Sequence, residues 1–369
     1  MRAVLRFQDT ASPNGIKRYS LTLAAELARQ GVDVRFSKVY SREFRLGRLR
    51  VGGILIRRFT ELLPIARGDL LHAMTFHMNP ARRPADVVTI HDIMQIRRPE
   101  LYPQDERSRR QMDEALQRSF RHSWMLTDSR HTRDEVLRQF PDAPRERLVP
   151  VHLGVDHAKF WPDVRPPSAR DVPVLQALRP GMLNVAVLMN LEMRKRLDLV
   201  LEAAAELPFV RIVHAGWPHA TNRHLAMNDR VARLIPRLEA TGQYVRLGTL
   251  TDDDIRLLLS NADLVLHASE DEGFGLPPLE ALACGARVLA SDIPPHAEVL
   301  GDAARLFPLS REGIRKALEA AWDGEALRTS TFPDPAVGLA HAKGFTWERT
   351  ARATLQVYQL AFATKNSGA

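Results

Sequence analysis

Two series of short apolar runs, most of them followed by an amphipathic segment, limit what this chain can fold into. In the first half AVLRF, VDVRF, DLLHAM, VVTI, WMLT and RLVPV have strand character, while SLTLAAELARQ (20–30), DERSRRQMDEALQRSF (105–120) and TRDEVLRQF (132–140) carry helical spacing. The second series, NVAVLMN, VRIVHAG, YVRLGTL, DLVLHAS and RVLAS, is short and rich in Val and Leu, as strands covered by helices on both faces are. Helices are expected near 195–206, 222–240, 252–260, 276–284 and 294–300. Between the series, WPDVRPPSARDVPVLQALRPG (161–181) holds five prolines in 21 residues, and proline forces extended or turn backbone. The pattern predicts an α/β protein of two doubly wound domains, 1–164 and 165–348. The last amphipathic segment, TWERTARATLQVYQLAF, running on to about 349–369, is long enough to pack back on the first domain. Ligands of such sheets bind outside the carboxyl ends of the strands, so the site is expected in a cleft where the domains face each other.

With 369 residues, 45% of them hydrophobic, the chain exceeds the size at which one core stops growing. The N-terminal MRAVLRFQDT alternates apolar and basic residues unlike a signal peptide, and no apolar stretch nears the roughly 20 residues that span a bilayer. One cysteine, Cys284, excludes an internal disulfide and a multi-cysteine metal site. The expectation is a cytoplasmic protein. Its charge is uneven: residues 1–164 carry 29 Lys and Arg against 20 Asp and Glu, the remainder 23 against 24. Such an excess suits an acidic partner, and the arginines 42, 45, 48, 50, 107, 109, 110, 118 and 121 would then face a lipid-linked acceptor or the anionic inner face of the cytoplasmic membrane. Because only 7 of the 52 basic residues are lysine, a general arginine bias accounts for the excess equally well. No nucleic-acid motif is present, and no nucleic-acid partner is expected.

The densest chemistry lies in EDEGFGLPPLEALACG (270–285). A strand ends at Ser269, Gly273 and Gly275 free the backbone at the turn, and a helix is expected to start near Leu276 with Pro277 and Pro278 in its first turn. The amides of Phe274, Gly275 and Leu276 then stand at a positive helix end, a seat for phosphate. Glu280 can accept two hydrogen bonds from a ribose diol, and Glu272 can do the same for a second sugar. Taken singly, either glutamate fits a solvated loop or helix face. Together with two glycines, the prolines and ALACG they bracket a nucleotide sugar.

The stretch EGFGLPPLEALACGARVLASDIPPHAEVLGDAARLF resembles the signature of glycosyltransferase family 4, retaining nucleotide-sugar transferases of the GT-B fold, built of two Rossmann-like domains. Glu272 and Glu280 match its Glu-x7-Glu pair, and the likeness runs through YVRLGTLTDDDIRLLLSNADLVLHAS to nearly the whole chain. The resemblance implies a hexosyltransferase of surface-polysaccharide or glycolipid synthesis, with GDP-mannose as the leading donor and UDP-glucose second, a glycan or lipid-linked acceptor, and no metal or other cofactor. In MNLEMRKRLDLVLEAA, Lys195 falls on the family's diphosphate-binding lysine. Met189-Asn190 stand where the family has Gly-Arg, and Arg194 or Arg196 is left to supply the missing charge.

The same resemblance assigns Asn14, Gly15 and Arg18, in NGIKRY, to the acceptor or phosphate side, with Gly15 letting backbone approach the pyrophosphate. His91 and Asp92 end the VVTI strand, Asp92 joining Asn14, Gly15 and Arg18 on the acceptor or phosphate side, and a histidine there can bond a sugar hydroxyl or a backbone carbonyl, or be satisfied by its own loop. Gly216 belongs to the donor side. His214 approaches the nucleotide or sits in the core. Ser129 or Thr132 caps a helix, and Thr251 with Asp254 makes a helix start rather than a metal site. His91, Glu272 and Lys195 are the expected catalytic residues, Glu272 preferably by positioning, with nucleophilic attack the alternative. Two other readings stand beside a transferase: a phosphorylase or synthase of the same fold using phosphate or a sugar phosphate, and a degenerate binding protein.

Overall fold

The computed structural model describes residues 1–9, 15–40, 68–102, 105–166, 172–216 and 229–367. They divide into two compact units: Met1–Arg97 with Gln104–Gly154 and Trp347–Ala369, and Arg98–Pro103 with Val155–Thr346. The divisions fall at 154/155 and 346/347 rather than at 164/165 and 348/349. Backbone hydrogen bonding explains the shift. Val155 N–H donates to Phe345 O at 3.1 Å, Asp163 N–H to Ser260 Oγ at 3.0 Å and Arg165 N–H to Asn261 Oδ1 at 2.7 Å, so the first proline-containing residues are docked on the second unit.

The first unit carries a parallel sheet of β1 (Arg2–Asp9), β2 (Asp33–Tyr40), β3 (Leu70–Ala73), β4 (Val87–Ile90), β5 (Trp124–Thr127) and β6 (Leu148–Pro150), in the order β2-β1-β3-β4-β5-β6. LLHA and VVTI are buried throughout, as helices on both faces require. Helix Glu106–His122 presses Met112, Ala115, Leu116 and Phe120 on this core, and helix Arg130–Gln139 adds Val136. Each of the larger of these side chains contributes roughly 1.5–3 kcal/mol by leaving water. The final helix, Trp347–Ser367, belongs to this unit, where Tyr358 is fully buried and pairs its hydroxyl with His72 Nδ1 at 2.8 Å.

The second unit holds β7 (Leu183–Leu188), β8 (Val210–Ala215), β9 (Tyr244–Gly248), β10 (Leu264–His267), β11 (Val288–Ser291) and β12 (Arg305–Phe307), again all parallel, in the order β12-β11-β10-β7-β8-β9. Chain order runs outward in both directions from the β7–β10 pair. This is the switch point at which such sheets open a crevice beyond the strand ends. The short β12 lies outside the strands read from sequence. Of the helix expected at 222–240, Asp229–Ala240 is present and residues 222–228 fall outside the described residues.

Candidate active site

The turns that leave β7 and β10 meet at that switch point. After β7 the chain runs to a single 3-10 turn, Met193–Lys195, and then helix Leu197–Ala205. After β10 it runs through Ser269–Gly275 to helix Leu276–Ala283. A main-chain bond from Glu270 N–H to Arg194 O, 2.7 Å, ties the two turns together.

Glu272 is the hub. Its Oε1 accepts from Lys195 Nζ at 2.9 Å, from Ser269 Oγ at 2.7 Å and from His267 Nε2 at 3.1 Å, and Arg194 Nη1 stands 2.7 Å away. These bonds converge on Oε1, which is thereby anchored, and among the described residues none is made to Oε2, the oxygen that can accept from a hydroxyl. Burial alone would raise this carboxyl, but Arg194 and Lys195 outweigh it and hold it well below the usual carboxylate range. Burial keeps His267 below the ordinary histidine value. Arg194 also bonds Asp271 O at 2.9 Å and Glu192 Oε2 at 2.9 Å. Lys195 and Arg194 thus share the Glu272 carboxylate, with Glu192 as a second partner of Arg194, and stand preorganised as donors where charge on a departing diphosphate can be stabilised.

Gly275 (φ 101°) begins helix Leu276–Ala283, and no side chain caps that end. Its left-handed backbone needs glycine, and a Cβ there would also come within 3.3 Å of His296 Cδ2. Pro277 and Pro278 bring no N–H, so the donors at the helix mouth are the Gly275 and Leu276 amides. Phe274 is buried with its ring 6.1 Å from that of Phe345, which fixes the loop preceding them. Glu280 follows one turn later, 7% exposed.

Gly216 directly follows β8, where a Cβ would lie 1.9 Å from Met189 O, so a side chain is excluded by the protein's own backbone. His214 is a core histidine, bonding Tyr244 OH at 2.7 Å and Met189 O at 2.9 Å. Met189, at the departure from the family's Gly-Arg, is buried in the core, and Asn190 beside it is exposed.

In the first unit His91 follows β4 and uses both ring nitrogens internally: Nδ1 meets Asp128 Oδ2 at 2.7 Å and Nε2 meets Met74 O at 2.9 Å. A carbonyl and a carboxylate only accept, so this pair of contacts favours the doubly donating imidazolium form of His91. Burial opposes that charge, but Asp128 overcomes it and the His91 pKa is raised. Tyr19 packs its ring edge-on at 4.8 Å. The carbonyl that Nε2 meets, that of Met74, is a backbone carbonyl of the kind read from sequence. Asp92 Oδ1 accepts from Met94 N–H at 2.9 Å. Gly15 opens helix Gly15–Arg29, where a Cβ would meet nothing within 4 Å, and Arg18 is half-buried on that helix. Asn14 and the arginines 42, 45, 48 and 50 lie outside the described residues.

Ser129 caps Arg130–Gln139 by accepting from Thr132 N–H at 3.0 Å, and Thr251 caps Asp252–Asn261 by accepting from Asp254 N–H at 3.1 Å. On helix Glu106–His122, Arg107, Arg110, Arg118 and Arg121 share a side at helical spacing with Glu114 among them, and Arg109 lies apart. Asp128, His267, Ser269 and His296 escaped the sequence reading, although DLVLHAS and TDSRH contain the first three.

Residues 179–328 match the family model of the glycosyl transferases group 1. The O-antigen chain mannosyltransferase B of Escherichia coli is 30% identical over 296 residues, spanning 79% of this chain and 74% of that protein. The D-inositol 3-phosphate glycosyltransferase of Mycobacterium ulcerans is 32% identical over 226 residues, 60% of this chain and 47% of the relative, so the match spans about half of that protein. Among solved structures, Anabaena HepE in complex with UDP and glucose has a TM-score of 0.71 at 20% identity, covering 97% of this chain and 99% of that one. Sucrose-phosphate synthase from Thermosynechococcus elongatus has a TM-score of 0.76 at 18% identity, covering 98% and 99%. Both likenesses show the GT-B fold.

Proposed function

The chain belongs to the glycosyl transferases group 1 and is a transferase enzyme, and on that footing we propose its donor, acceptor and division of labour. The donor is a nucleoside diphosphate hexose, GDP-mannose before UDP-glucose. The acceptor is a glycan or a lipid-linked sugar of surface-polysaccharide or glycolipid synthesis. The relative that covers most of this chain carries a mannosyltransferase name, which supports mannose. The observation that carries the reading is the state of Glu272, whose Oε1 is engaged by Lys195, Arg194, Ser269 and His267, while Oε2 takes no bond among the described residues.

A carboxylate anchored in this way orients a sugar hydroxyl through Oε2. Two cations at Oε1 lower its nucleophilicity, so Glu272 positions and does not attack. Lys195, Arg194 and the Gly275 and Leu276 amides take up charge on the departing diphosphate, and Glu280 receives the ribose diol. Retention of configuration accompanies this reading through the family resemblance. No metal is needed, because cations and helix amides supply the positive charge. On the acceptor side, the exposed Arg107, Arg110 and Arg121 suit an anionic surface, and among the described residues no helix is long and apolar enough to cross a membrane.

A thermal-shift screen against GDP, UDP, ADP and their hexose conjugates tests the assignment, since a ligand bound only by the folded state raises apparent stability. One nucleotide, with its conjugate, is expected to stabilise the protein, and Glu280→Ala to abolish the effect. No shift with any of them refutes the donor site.

A further inference from the structure

Arg196 is the one non-glycine residue with positive φ among the described residues (φ 46°, ψ 42°). It directly follows Lys195 and forms the start of helix Leu197–Ala205. For a residue with a side chain this left-handed backbone is disfavoured roughly ten-fold or more, whereas glycine adopts it freely. Something must hold it. The Arg196 guanidinium grips Asp198 with both arms, Nε to Oδ1 at 3.0 Å and Nη2 to Oδ2 at 2.8 Å. Its Nη1 donates to Glu270 Oε1 at 2.6 Å.

Glu270 makes the grip more than local. Its own N–H bonds Arg194 O, and its second oxygen lies 3.4 Å from Arg98 Nη2, in the segment Arg98–Pro103 that belongs to the same unit. Two residues later comes Glu272, the hub of the site. Glu270 is therefore attached to the turn 193–196 by main chain and side chain at once, on either side of Lys195. The Arg196 and Glu270 side chains are 28% and 22% exposed, shielded enough for a bidentate and bridged ion pair to matter.

We propose that Glu270 is a positioning residue for the donor diphosphate site: through Arg196 it braces the strained turn that presents Arg194 and Lys195, and Arg98 steadies the brace. This rests on the donor-site reading above. The brace replaces with charge what a glycine at 196 would supply without it. It follows that the arginine side chain is dispensable when the backbone is free to turn, and indispensable when it is not.

The test is calorimetric titration of GDP and of UDP into the full-length wild type and variants. Glu270→Gln and Arg196→Ala are expected to weaken binding of the preferred nucleotide about ten-fold, the size of the backbone preference they release. Arg196→Gly should stay within about three-fold of wild type, and adding Glu270→Gln to it should cause no further loss. Glu270→Asp, which keeps the charge, should recover part of the affinity. Wild-type affinity in Glu270→Gln overturns the inference. So does equal loss in Arg196→Gly and Arg196→Ala, which would make Arg196 itself a ligand of the diphosphate. If the wild type binds neither nucleotide, the donor-site reading fails first, a result distinct from either of these.

Discussion

Replacing Glu272 with glutamine keeps the shape of the side chain and deletes its charge. Lys195 Nζ at 2.9 Å and Arg194 Nη1 at 2.7 Å then lose their shared counter-ion while only 9% and 13% exposed. Removing one partner of a buried pair costs about 3–5 kcal/mol, and because Arg194 keeps Glu192 and Asp271 O the lower end applies, about 3 kcal/mol. In a unit of roughly 200 residues each kcal/mol moves Tm by about 2–4 °C, so Glu272→Gln should melt about 6–12 °C lower. A nucleoside diphosphate brings the missing negative charge. Saturating GDP or UDP, whichever binds, should therefore raise Tm more in Glu272→Gln than in the wild type, while the added benefit of the attached hexose disappears. The pH dependence is also fixed in sign. The folded carboxyl is held below its unfolded value of about 4.3, so its stabilisation is present above that pH and is lost as pH falls through the folded value. The gap between wild type and variant should stay constant from about pH 5 to 8 and close in more acid solution. Scanning fluorimetry across that range measures all of this. A variant melting within about 2 °C of wild type, or one that gains no more from nucleotide, would refute the reasoning.

Other outcomes follow from the same geometry. Lys195→Ala should lower kcat about 100-fold or more, since a preorganised donor to developing charge is lost, and should also lower Tm because buried Glu272 loses one of its two cations; steady-state kinetics beside a thermal melt decides. Asp128→Asn should remove a stabilisation that the wild type shows below about pH 6.5 and loses as pH rises through the raised value of His91, so the difference in Tm should be widest at the acid end of a series from about pH 5.5 to 8.5. Gly216→Ala drives a Cβ against Met189 O and should cost about 3 kcal/mol or prevent soluble expression, seen by denaturant melts. Gly15→Ala meets open space and should leave stability within about 1 kcal/mol, so any loss of turnover it causes reports on a ligand approaching that backbone.

How much of this was legible in the sequence depended on whether the information was local. The Glu272 and Glu280 turn and the cap at Thr251 each lie within one strand-turn-helix step, and spacing reveals such steps, whereas Lys195 is singled out only by the family resemblance. The partners of His91 do not. Met74 and Asp128 follow β3 and β5, the two neighbours of β4, and only the strand order brings them to its end. Arg196 carried no signal, because a left-handed turn is announced by glycine and here it is held by Asp198 and Glu270. The prolines from 162 onward suggested a linker, yet their segment is docked through Ser260 and Asn261, which no composition shift discloses. The strand RLF of β12 was too short to register as a run.

The central claim is hexose transfer from a nucleotide sugar, and its most direct measurement is radiolabel transfer. GDP-mannose and UDP-glucose, each labelled in the sugar, are incubated with the protein and vesicles carrying lipid-linked glycan, with and without inorganic phosphate. The account predicts label moving into the lipid-extractable fraction from one donor, independent of phosphate and abolished in Lys195→Ala. Label that stays in the donor, or that leaves as a sugar phosphate only when phosphate is added, would contradict it.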